Sequence, residues 1–566
     1  MGYVPAVSAP AHANPSARRL GTRLGRLAAV GKARGVASAV AGSRVGVAGV
    51  SGPAWGAIAT TLAFIALTCW WFTQDRSIPI FDVGDQLEVA REFHGMLLAG
   101  NLLGPLNYVD VYPALGRVVG AVAMFVGGVN VAAPTIGENV VFAPLLALGC
   151  YQTGRLLFGS SAAGMLAVVF AFGSPLLMSL FHVFLLDAPV AALVAVSVWL
   201  ILASEDFSRV GVAGGAGLAV GAGMNLKVQF ALFLAGLILV VLVHGGWRNR
   251  RGLAVFCAVA AVAGTPWYLI HLSELPRMFE LASSGPGTPA GNIPPTLSID
   301  NVSWYFWNVL NSQLLAPLFV FLVVGTAWML LTTIRDRGRQ AARLEFLLGS
   351  FAAWLAITLT PHHDIRYGLP LLGFLAVLAT GWIAQLPRTP RLAVGAVLAL
   401  AVAANTLGID FGVGREAKLA LAGRLPATEQ YPDRVILFST SGFLASAPSR
   451  DGDVPGLLQT LRREGVGTVA VSEVQSAGAD FSFEGLIPLL RMAGLTPVIT
   501  ERPEFSDSPS AVTLIHGSVS AGRPPTCTRL SDGTGVWVER FDSSAGRLAL
   551  YCPTRRPRFY DPGASG

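Results

Sequence analysis

Charged side chains beside the ends of long apolar segments are the residues of this chain that could do chemistry. Asp82 and Asp85 follow the first such segment, and Asp187 lies between the third and the fourth. Lys227 separates the fifth from the sixth, and Arg366 opens the tenth. A carboxylate can take the proton of an attacking hydroxyl, while lysine and arginine can neutralise a departing phosphate. Because charges at membrane depth are costly and usually mark a site, this set predicts group transfer from a phosphate-linked donor.

For each of these residues the alternative is a charge that only marks the end of a helix at the membrane interface. His362, His363 and Asp364 precede Arg366 and offer the side chains of a metal site. Adjacent histidines do not easily ligate one ion in such a loop, so we interpret all three as solvated loop residues.

Composition shows that a membrane bundle must position these residues. Of the 566 residues, 53% are hydrophobic and only 13% are charged, and the mean hydropathy is +0.58. A soluble domain does not need so much apolar surface, whereas a helix of about 20 apolar residues crosses about 30 Å of hydrocarbon. The sequence therefore predicts a polytopic α-helical membrane protein with about eleven transmembrane helices. They lie at roughly 55–73, 136–157, 161–181, 185–203, 211–225, 228–244, 252–271, 312–333, 344–360, 367–384 and 391–408.

The charges between these segments predict the orientation of the chain. With a cytoplasmic N-terminus, the cytoplasmic connections hold arginines, as the positive-inside rule requires: Arg155, Arg209, Arg248, Arg250, Arg251, Arg335, Arg337, Arg339, Arg343, Arg388 and Arg391. The opposite connections hold the acids Asp82, Asp85, Glu88, Glu92, Asp110, Glu138, Asp187 and Asp364. We therefore expect the charged set to meet at one external cavity and the C-terminus to lie outside.

The first 52 residues form a basic tail with no acid, and its basic residues are Arg18, Arg19, Arg23, Arg26, Lys32, Arg34 and Arg44. We interpret it as a disordered cytoplasmic segment that is attracted to anionic membrane lipids. A transit peptide is the alternative. The tail lacks interleaved aromatic residues, so we expect no nucleic-acid partner.

Two external segments carry further patterns. Asp85 to Leu98 has apolar residues on one side, which predicts a helix along the interface, and Val118 to Val129 predicts a short helix that does not cross. In the loop at about 272–311, glycine and proline indicate irregular structure around Trp304 to Trp307. These aromatics fit an interfacial belt, which we favour, or a contact with sugar or lipid.

After about residue 409 the composition becomes that of a soluble domain. Strands are predicted at Val435–Phe438, Thr468–Val471, Thr496–Thr500, Val512–Ile515, Gly535–Val538 and Leu548–Tyr551, and helices at Val454–Glu464 and Phe483–Ala493. This order predicts an extracytoplasmic α/β domain with a β-rich end. Cys527 and Cys552 lie in it, where a disulfide is plausible in an oxidising compartment.

A series of short motifs runs through residues 75–385: Asp85-Gln86, Tyr112-Pro113-Ala114-Leu115, Gly154-Arg155-Leu156-Leu157-Phe158-Gly159, Leu185-Leu186-Asp187-Ala188-Pro189, Gly217-Leu218-Ala219-Val220-Gly221, Asn225-Leu226-Lys227 and Arg366-Tyr367-Gly368-Leu369-Pro370. In order and spacing, these motifs resemble the membrane region of the GT-C glycosyltransferases. Within that group, the similarity is to the bacterial relatives of protein O-mannosyltransferases and of aminoarabinose transferases. The family usually has Asp-Glu where this chain has Asp85-Gln86, which leaves metal use and acceptor type open.

The resemblance implies a role for each candidate residue. Asp85 would be the catalytic aspartate, and Asp187 would support the catalytic site. Lys227 and Arg366 would contact the lipid phosphate of the donor. Asp82, Gln86 and Tyr367 would be supporting residues. No cofactor is assigned with certainty, and a divalent metal stays an option.

The resemblance also implies the partners: a polyprenyl-phosphate sugar as donor, with inversion at the anomeric carbon, and a hydroxyl acceptor on a protein, lipid or cell-envelope glycan. High alanine and glycine with few lysines indicates a bacterial source, and so the inner (plasma) membrane.

The sequence thus predicts a tail at 1–52, a GT-C-like transmembrane domain at 53–408 and the extracytoplasmic domain at 409–566. One alternative is a non-enzymatic transporter or lipid flippase, although its inverted repeats are not found. Another is a binding module carried by an inactive bundle.

Overall fold

The computed structural model describes residues 51–75, 79, 82–277, 298–335, 341–360, 363–420, 434–441, 445, 447–448, 458, 468–472, 483–500, 511–517, 541–543 and 546–551. The predicted basic tail lies almost wholly outside this set, as do His362, the helix at Val454–Glu464, the strand at Gly535–Val538 and both cysteines of the predicted disulfide.

Most of the described residues up to 411 are helical. The first group is α1 Gly52–Gln74, α2 Asp82–Leu98, α3 Gly104–Asn107, α4 Leu115–Gly127, α5 Ala132–Phe158, α6 Ser161–Phe172, α7 Pro175–Phe181 and α8 Asp187–Ala203. The second group is α9 Val210–Met224, α10 Phe230–His244, α11 Arg250–Gly264, α12 Pro266–Ile270, α13 Ile299–Asn308, α14 Leu315–Arg335, α15 Ala341–Thr358, α16 Leu372–Ala384 and α17 Arg388–Phe411. Short 3₁₀ segments cover Gly246–Arg248 and Ile365–Leu371, and a π-helix covers Val309–Leu314.

The protein is a multi-pass membrane protein, and each of the eleven predicted segments is helical. Among the described residues, six helices are long and apolar enough to cross a membrane, or seven if α6 and α7, which meet at 67°, form one span. Helices α8, α9 and α10 are apolar but have only 15 to 17 residues. At 1.5 Å per residue they are shorter than the hydrocarbon core. The count of eleven spans therefore stays a prediction.

Helix α8 lies at the centre of the bundle and carries apolar residues all round, as a fully buried helix should. It packs against α5, α9 and the 3₁₀ turn at Ile365–Leu371. Glycines let α9 approach α11 closely: a Cβ on Gly221 would lie 2.6 Å from Ala263 Cβ, and one on Gly217 would collide with the carbonyl of Phe256. This close packing fixes the turn that follows α9.

Helices α2 and α4 pack on each other at one end of the bundle, which we call the site end. The helix predicted from Asp85 to Leu98 is confirmed and begins three residues earlier, at Asp82. Helix α4 has 13 residues, too few to cross. The backbone N–H of Leu115 donates to the carbonyl of Asn225 at 3.1 Å, which joins the start of α4 to the turn after α9.

The prediction of irregular structure up to residue 311 is wrong for its last part. Ser298 caps α13 by accepting from the N–H of Asn301 at 3.2 Å, so the aromatic run is helical. Trp304 and Trp307 are 3% and 1% exposed. They belong to the core of the bundle rather than to an interfacial belt.

The C-terminal region contains β1 Ala417–Ala420, β2 Arg434–Phe438, β3 Thr468–Ser472, α18 Phe483–Met492, β4 Thr496–Thr500, β5 Ala511–Gly517, β6 Phe541–Ser543 and β7 Gly546–Tyr551. Strands β1 and β2 form an antiparallel pair, and a second sheet has the order β4-β3-β5-β7-β6. Strand β3 is parallel to β4 and β5, whereas β7 is antiparallel to β5 and β6. The predicted strands and the helix that fall on described residues are confirmed, while the domain boundaries stay predictions.

Several contacts attach the C-terminal region to the bundle, and two of them involve α2 and the π-helix. Helix α18 packs on α2, where Arg491 forms an ion pair with Glu88. Strand β2 is bound by the side chain of Asn311, which donates to the carbonyl of Arg434 and accepts from the N–H of Ile436, both at 2.9 Å. The region therefore lies against the site end.

Candidate functional site

Four elements carry the predicted charged residues to the site end. Asp82 and Asp187 are the first residues of α2 and α8, where a carboxylate is favoured by the positive end of the helix dipole. Lys227 lies in the turn between α9 and α10, and Arg366 in the 3₁₀ turn before α16. Residues far apart in the sequence are thus brought to one place by the bundle.

Lys227 and Asp187 form a buried ion pair. Lys227 Nζ donates to Asp187 Oδ1 at 2.8 Å, and the two side chains are only 8% and 3% exposed. The second oxygen, Asp187 Oδ2, has no hydrogen-bond donor among the described residues. A buried pair of this kind is stable only while both charges are present.

Two tyrosine rings enclose the ammonium of Lys227. Nζ lies 5.3 Å from the ring centroid of Tyr112 and 5.7 Å from that of Tyr367, distances at which a cation is attracted to an aromatic face. Tyr367, a predicted supporting residue, is therefore part of the site. Tyr112 was part of the sequence resemblance but not of the predicted set.

Arg366 is held by two carboxylates. Its Nη1 donates to Asp82 Oδ2 at 2.8 Å, and its Nη2 and Nε donate to Asp364 at 2.7 and 3.1 Å. Burial acts to raise the pKa of Asp364, but the hydrogen bonds and the positive charge of Arg366, with the charge of Lys227, together outweigh burial and hold that pKa below its ordinary value. The interpretation of Asp364 as a solvated loop residue is wrong, because its side chain is 20% exposed and committed to Arg366.

Glu138, in the second turn of α5, is an acid of the site that the sequence suggested only as a marker of orientation. It is 1% exposed, and neither carboxylate oxygen has a hydrogen-bond partner among the described residues. The charges of Asp187 and Lys227 act on it. A single carboxylate inside an otherwise apolar predicted span was the signal that could have identified it.

Gln86 lies beside the site rather than in it. Gln86 Oε1 accepts from Arg117 Nε at 2.8 Å, and Arg117 also bonds the carbonyl of Tyr112 at 3.1 Å and the carboxylate of Asp110 at 2.5 Å. Arg117 is 2% exposed, so this network is internal. Gln86 therefore supports the loop that carries Tyr112, one step away from Lys227.

Asp85 occupies the next turn of α2 after Asp82. Its side chain is exposed, unlike those of Gln86 and Asp187. Residues three apart on a helix share a face, so Asp85 lies near the carboxylate that holds Arg366. This places an accessible acid at the mouth of the charged cluster.

The described residues do not support a metal site. No group of three or more His, Cys, Asp or Glu side chains within them could hold an ion. His363 packs against the rings of Trp304 and Tyr305, with centroids 5.0 and 5.4 Å away. We therefore derive no step from a metal.

The cluster presents two cations and an exposed acid in one place. Lys227 and Arg366 can turn hydrogen-bond donors toward an anionic group, while Asp82, Asp187 and Asp364 balance their charge when no anion is bound. Such an arrangement is suited to a phosphate and a neighbouring nucleophile.

Comparisons with known proteins agree with this fold. A family model described as dolichyl-phosphate-mannose-protein mannosyltransferase matches residues 121–270, which include Glu138, Asp187 and Lys227. ArnT from Cupriavidus metallidurans bound to undecaprenyl phosphate is 14% identical, with a TM-score of 0.54 over 88% of this chain and 98% of that one. The apo state of ArnT is 13% identical over the same shares, with a TM-score of 0.50.

The resemblance to the GT-C glycosyltransferases is confirmed. AglB, the archaeal oligosaccharyltransferase from Archaeoglobus fulgidus, in complex with an inhibitory peptide and a dolichol-phosphate, also matches. It is 11% identical over 79% of this chain and 64% of that one, with a TM-score of 0.43. A search of curated protein sequences found no significant match. The family model and the ArnT structures give no support to the transporter alternative.

Proposed function

We propose that this protein is a membrane glycosyltransferase that moves a sugar from a polyprenyl-phosphate donor to a hydroxyl of a protein, lipid or cell-envelope glycan. The reaction takes place on the extracytoplasmic face of a bacterial plasma membrane. The observation that carries this proposal is the convergence of Lys227 and Arg366, from two distant turns, on one cluster with an exposed acid beside it.

The donor phosphate binds between the two cations. Lys227 uses one donor on Asp187, and an ammonium has three, so it can bond phosphate without leaving its partner. Arg366 offers the planar donor set that matches phosphate oxygens. Both side chains are largely buried, which strengthens their attraction for the charge that grows on the leaving group.

An apolar cavity provides room for the polyprenyl chain. It has a volume of about 640 Å³ and lies between α14, α15 and α16, with Leu322, Trp354, Phe374 and Leu378 among its walls. Leu371 also lines it, at the end of the 3₁₀ turn that carries Arg366. The cavity therefore reaches the end of that segment, five residues along the chain from Arg366.

Asp85 acts as the base. The acceptor oxygen attacks the anomeric carbon, its proton passes to the Asp85 carboxylate, and the bond from that carbon to the phosphate oxygen breaks. The electron pair leaves with the polyprenyl phosphate, whose added charge is balanced by Lys227 and Arg366. Attack opposite the leaving group inverts the anomeric carbon. Asp82 holds Arg366 in place during this step.

The similarity in fold to ArnT, which has been seen with undecaprenyl phosphate, supports the choice of lipid. The match to the mannosyltransferase family supports the class of transfer. The sugar and the acceptor are to be identified by assay.

Binding of undecaprenyl phosphate to the purified protein in lipid nanodiscs tests the phosphate site. Arg366→Gln should weaken binding by about ten- to a hundredfold, since a hydrogen bond to a charged group is worth about 1.5–3 kcal/mol. The matched control is Arg209→Gln, an arginine whose side chain is 41% exposed in its pair with Glu205. Equal binding by wild type and Arg366→Gln, or equal loss in both variants, would contradict the proposed site.

A further inference from the structure

A π-helix interrupts the bundle directly before α14. All six residues of Val309–Leu314 are buried, and the next residue, Leu315, has φ of 56°, a left-handed conformation that is unfavourable for leucine. Short π-helical segments and strained non-glycine residues concentrate at functional sites, where neighbouring contacts maintain them. The contacts of this segment show what it supports.

Two amide side chains connect the segment to the turn of Arg366. Gln313 Nε2 donates to Asn308 Oδ1 at 2.9 Å, and Asn308 Nδ2 donates to the carbonyl of Ile365, the residue before Arg366, at 3.1 Å. Both amides are 0% exposed. The carbonyl that opens the 3₁₀ turn therefore accepts a hydrogen bond from a buried side chain.

The backbone of Gly368 lies directly against this pair of amide side chains. A Cβ there would collide with Gln313 Nε2 and with Asn308 Oδ1. The two amide side chains therefore contact the turn directly, and they set the distance between the turn and the π-helix.

The other side of the segment is held by rigid elements. Ser174, which caps α7, donates its hydroxyl to the carbonyl of Gln313 at 2.7 Å. Asn311 binds the backbone of β2 through both atoms of its amide. The π-helix is thus clamped between α7 and β2 while it supports the turn.

We propose that Asn308 and Gln313 are positioning residues that set the guanidinium of Arg366 for the donor phosphate. The inference rests on the proposed function, because it assigns these amides to the same phosphate site. They do not touch the substrate. They act through the backbone of Ile365 and Gly368, so their loss shifts Arg366 without removing its charge.

The test compares two buried asparagines of α13. Asn308→Ala removes the contact to the turn, whereas the control Asn301→Ala removes a hydrogen bond of 2.5 Å to the carbonyl of Thr358, at the end of α15. Binding of undecaprenyl phosphate in nanodiscs should weaken about tenfold for Asn308→Ala and change less than about twofold for Asn301→Ala. If Asn308→Ala does not fold, Gly368→Ala perturbs the same contact from the turn and should give the same loss.

A double-mutant cycle separates positioning from a general structural effect. In an Arg366→Gln background, Asn308→Ala should cause no further loss of binding, because the group that it positions is gone. Additive losses would overturn the inference. If the wild type does not bind undecaprenyl phosphate, or if Arg366→Gln alone leaves that binding unchanged, the proposed function is overturned instead. The failure of the inference and the failure of the proposed function are therefore distinguishable.

Discussion

Removing the charge of Asp187 should destabilise the bundle strongly. Asp187→Asn keeps an oxygen for Lys227 Nζ but leaves the ammonium buried, at 8% exposure, without a countercharge. Breaking a buried ion pair from one side costs about 3–5 kcal/mol of unfolding free energy. The rings of Tyr112 and Tyr367 retain part of the attraction for the cation. We therefore expect a loss near the lower end, about 3 kcal/mol.

The matched control is the pair between Glu205 and Arg209. Its atoms are also 2.8 Å apart, but the side chains are 51% and 41% exposed. An exposed pair contributes about 0.2–1 kcal/mol, so Glu205→Gln should change stability by less than about 1 kcal/mol. Unfolding free energies can be measured by titrating the detergent-solubilised protein with SDS and following helicity by circular dichroism. A loss below about 1 kcal/mol for Asp187→Asn would refute the reasoning.

A hydrophobic replacement separates stability from function at the same place. Buried ion pairs can often be replaced by apolar residues of similar volume at no cost, so Asp187→Leu with Lys227→Met should recover stability to within about 1 kcal/mol of wild type. Binding of undecaprenyl phosphate should remain lost, because the ammonium is absent. Recovery of both would show that Lys227 has only a structural role.

Substitutions at three further positions have defined outcomes. Because Arg366 lowers the pKa of Asp364, this carboxylate contributes stability above about pH 4 that is lost as the pH falls through its lowered value. Asp364→Asn should therefore lower the unfolding free energy at neutral pH. It should also make that free energy fall less between about pH 7 and pH 3 than it does in the wild type, as measured by unfolding across this pH range. Glu138→Gln should leave the unfolding free energy unchanged or raise it, because both oxygens of that buried carboxyl lack partners among the described residues; a loss above about 1 kcal/mol would contradict this. Gln86→Ala should cost about 1–3 kcal/mol in the same titration by leaving the buried Nε of Arg117 unsatisfied, whereas Gln86→Glu should keep that bond.

Local patterns in the sequence were enough to predict most of the helices. Apolar runs of about 20 residues identified α1 and α5, and the amphipathic run after Asp85 identified α2. The convergence of Asp82, Asp187, Lys227 and Arg366 followed from their common side in the predicted topology.

What could not be predicted depends on contacts between distant residues. The role of Glu138 requires knowing that α5 faces Lys227. The π-helix is stabilised by partners more than 100 residues away, such as Ser174, so local periodicity gives no sign of it.

Release of polyprenyl phosphate from a panel of polyprenyl-phosphate sugars, by the purified protein in lipid, tests the central claim most directly. At least one donor should support release by the wild type together with an acceptor hydroxyl. Asp85→Asn should abolish that release while undecaprenyl phosphate still binds, and Asp82→Asn should mainly raise the KM for the donor, because it releases Arg366. Release that is indifferent to Asp85, or no release from any donor, would contradict the account.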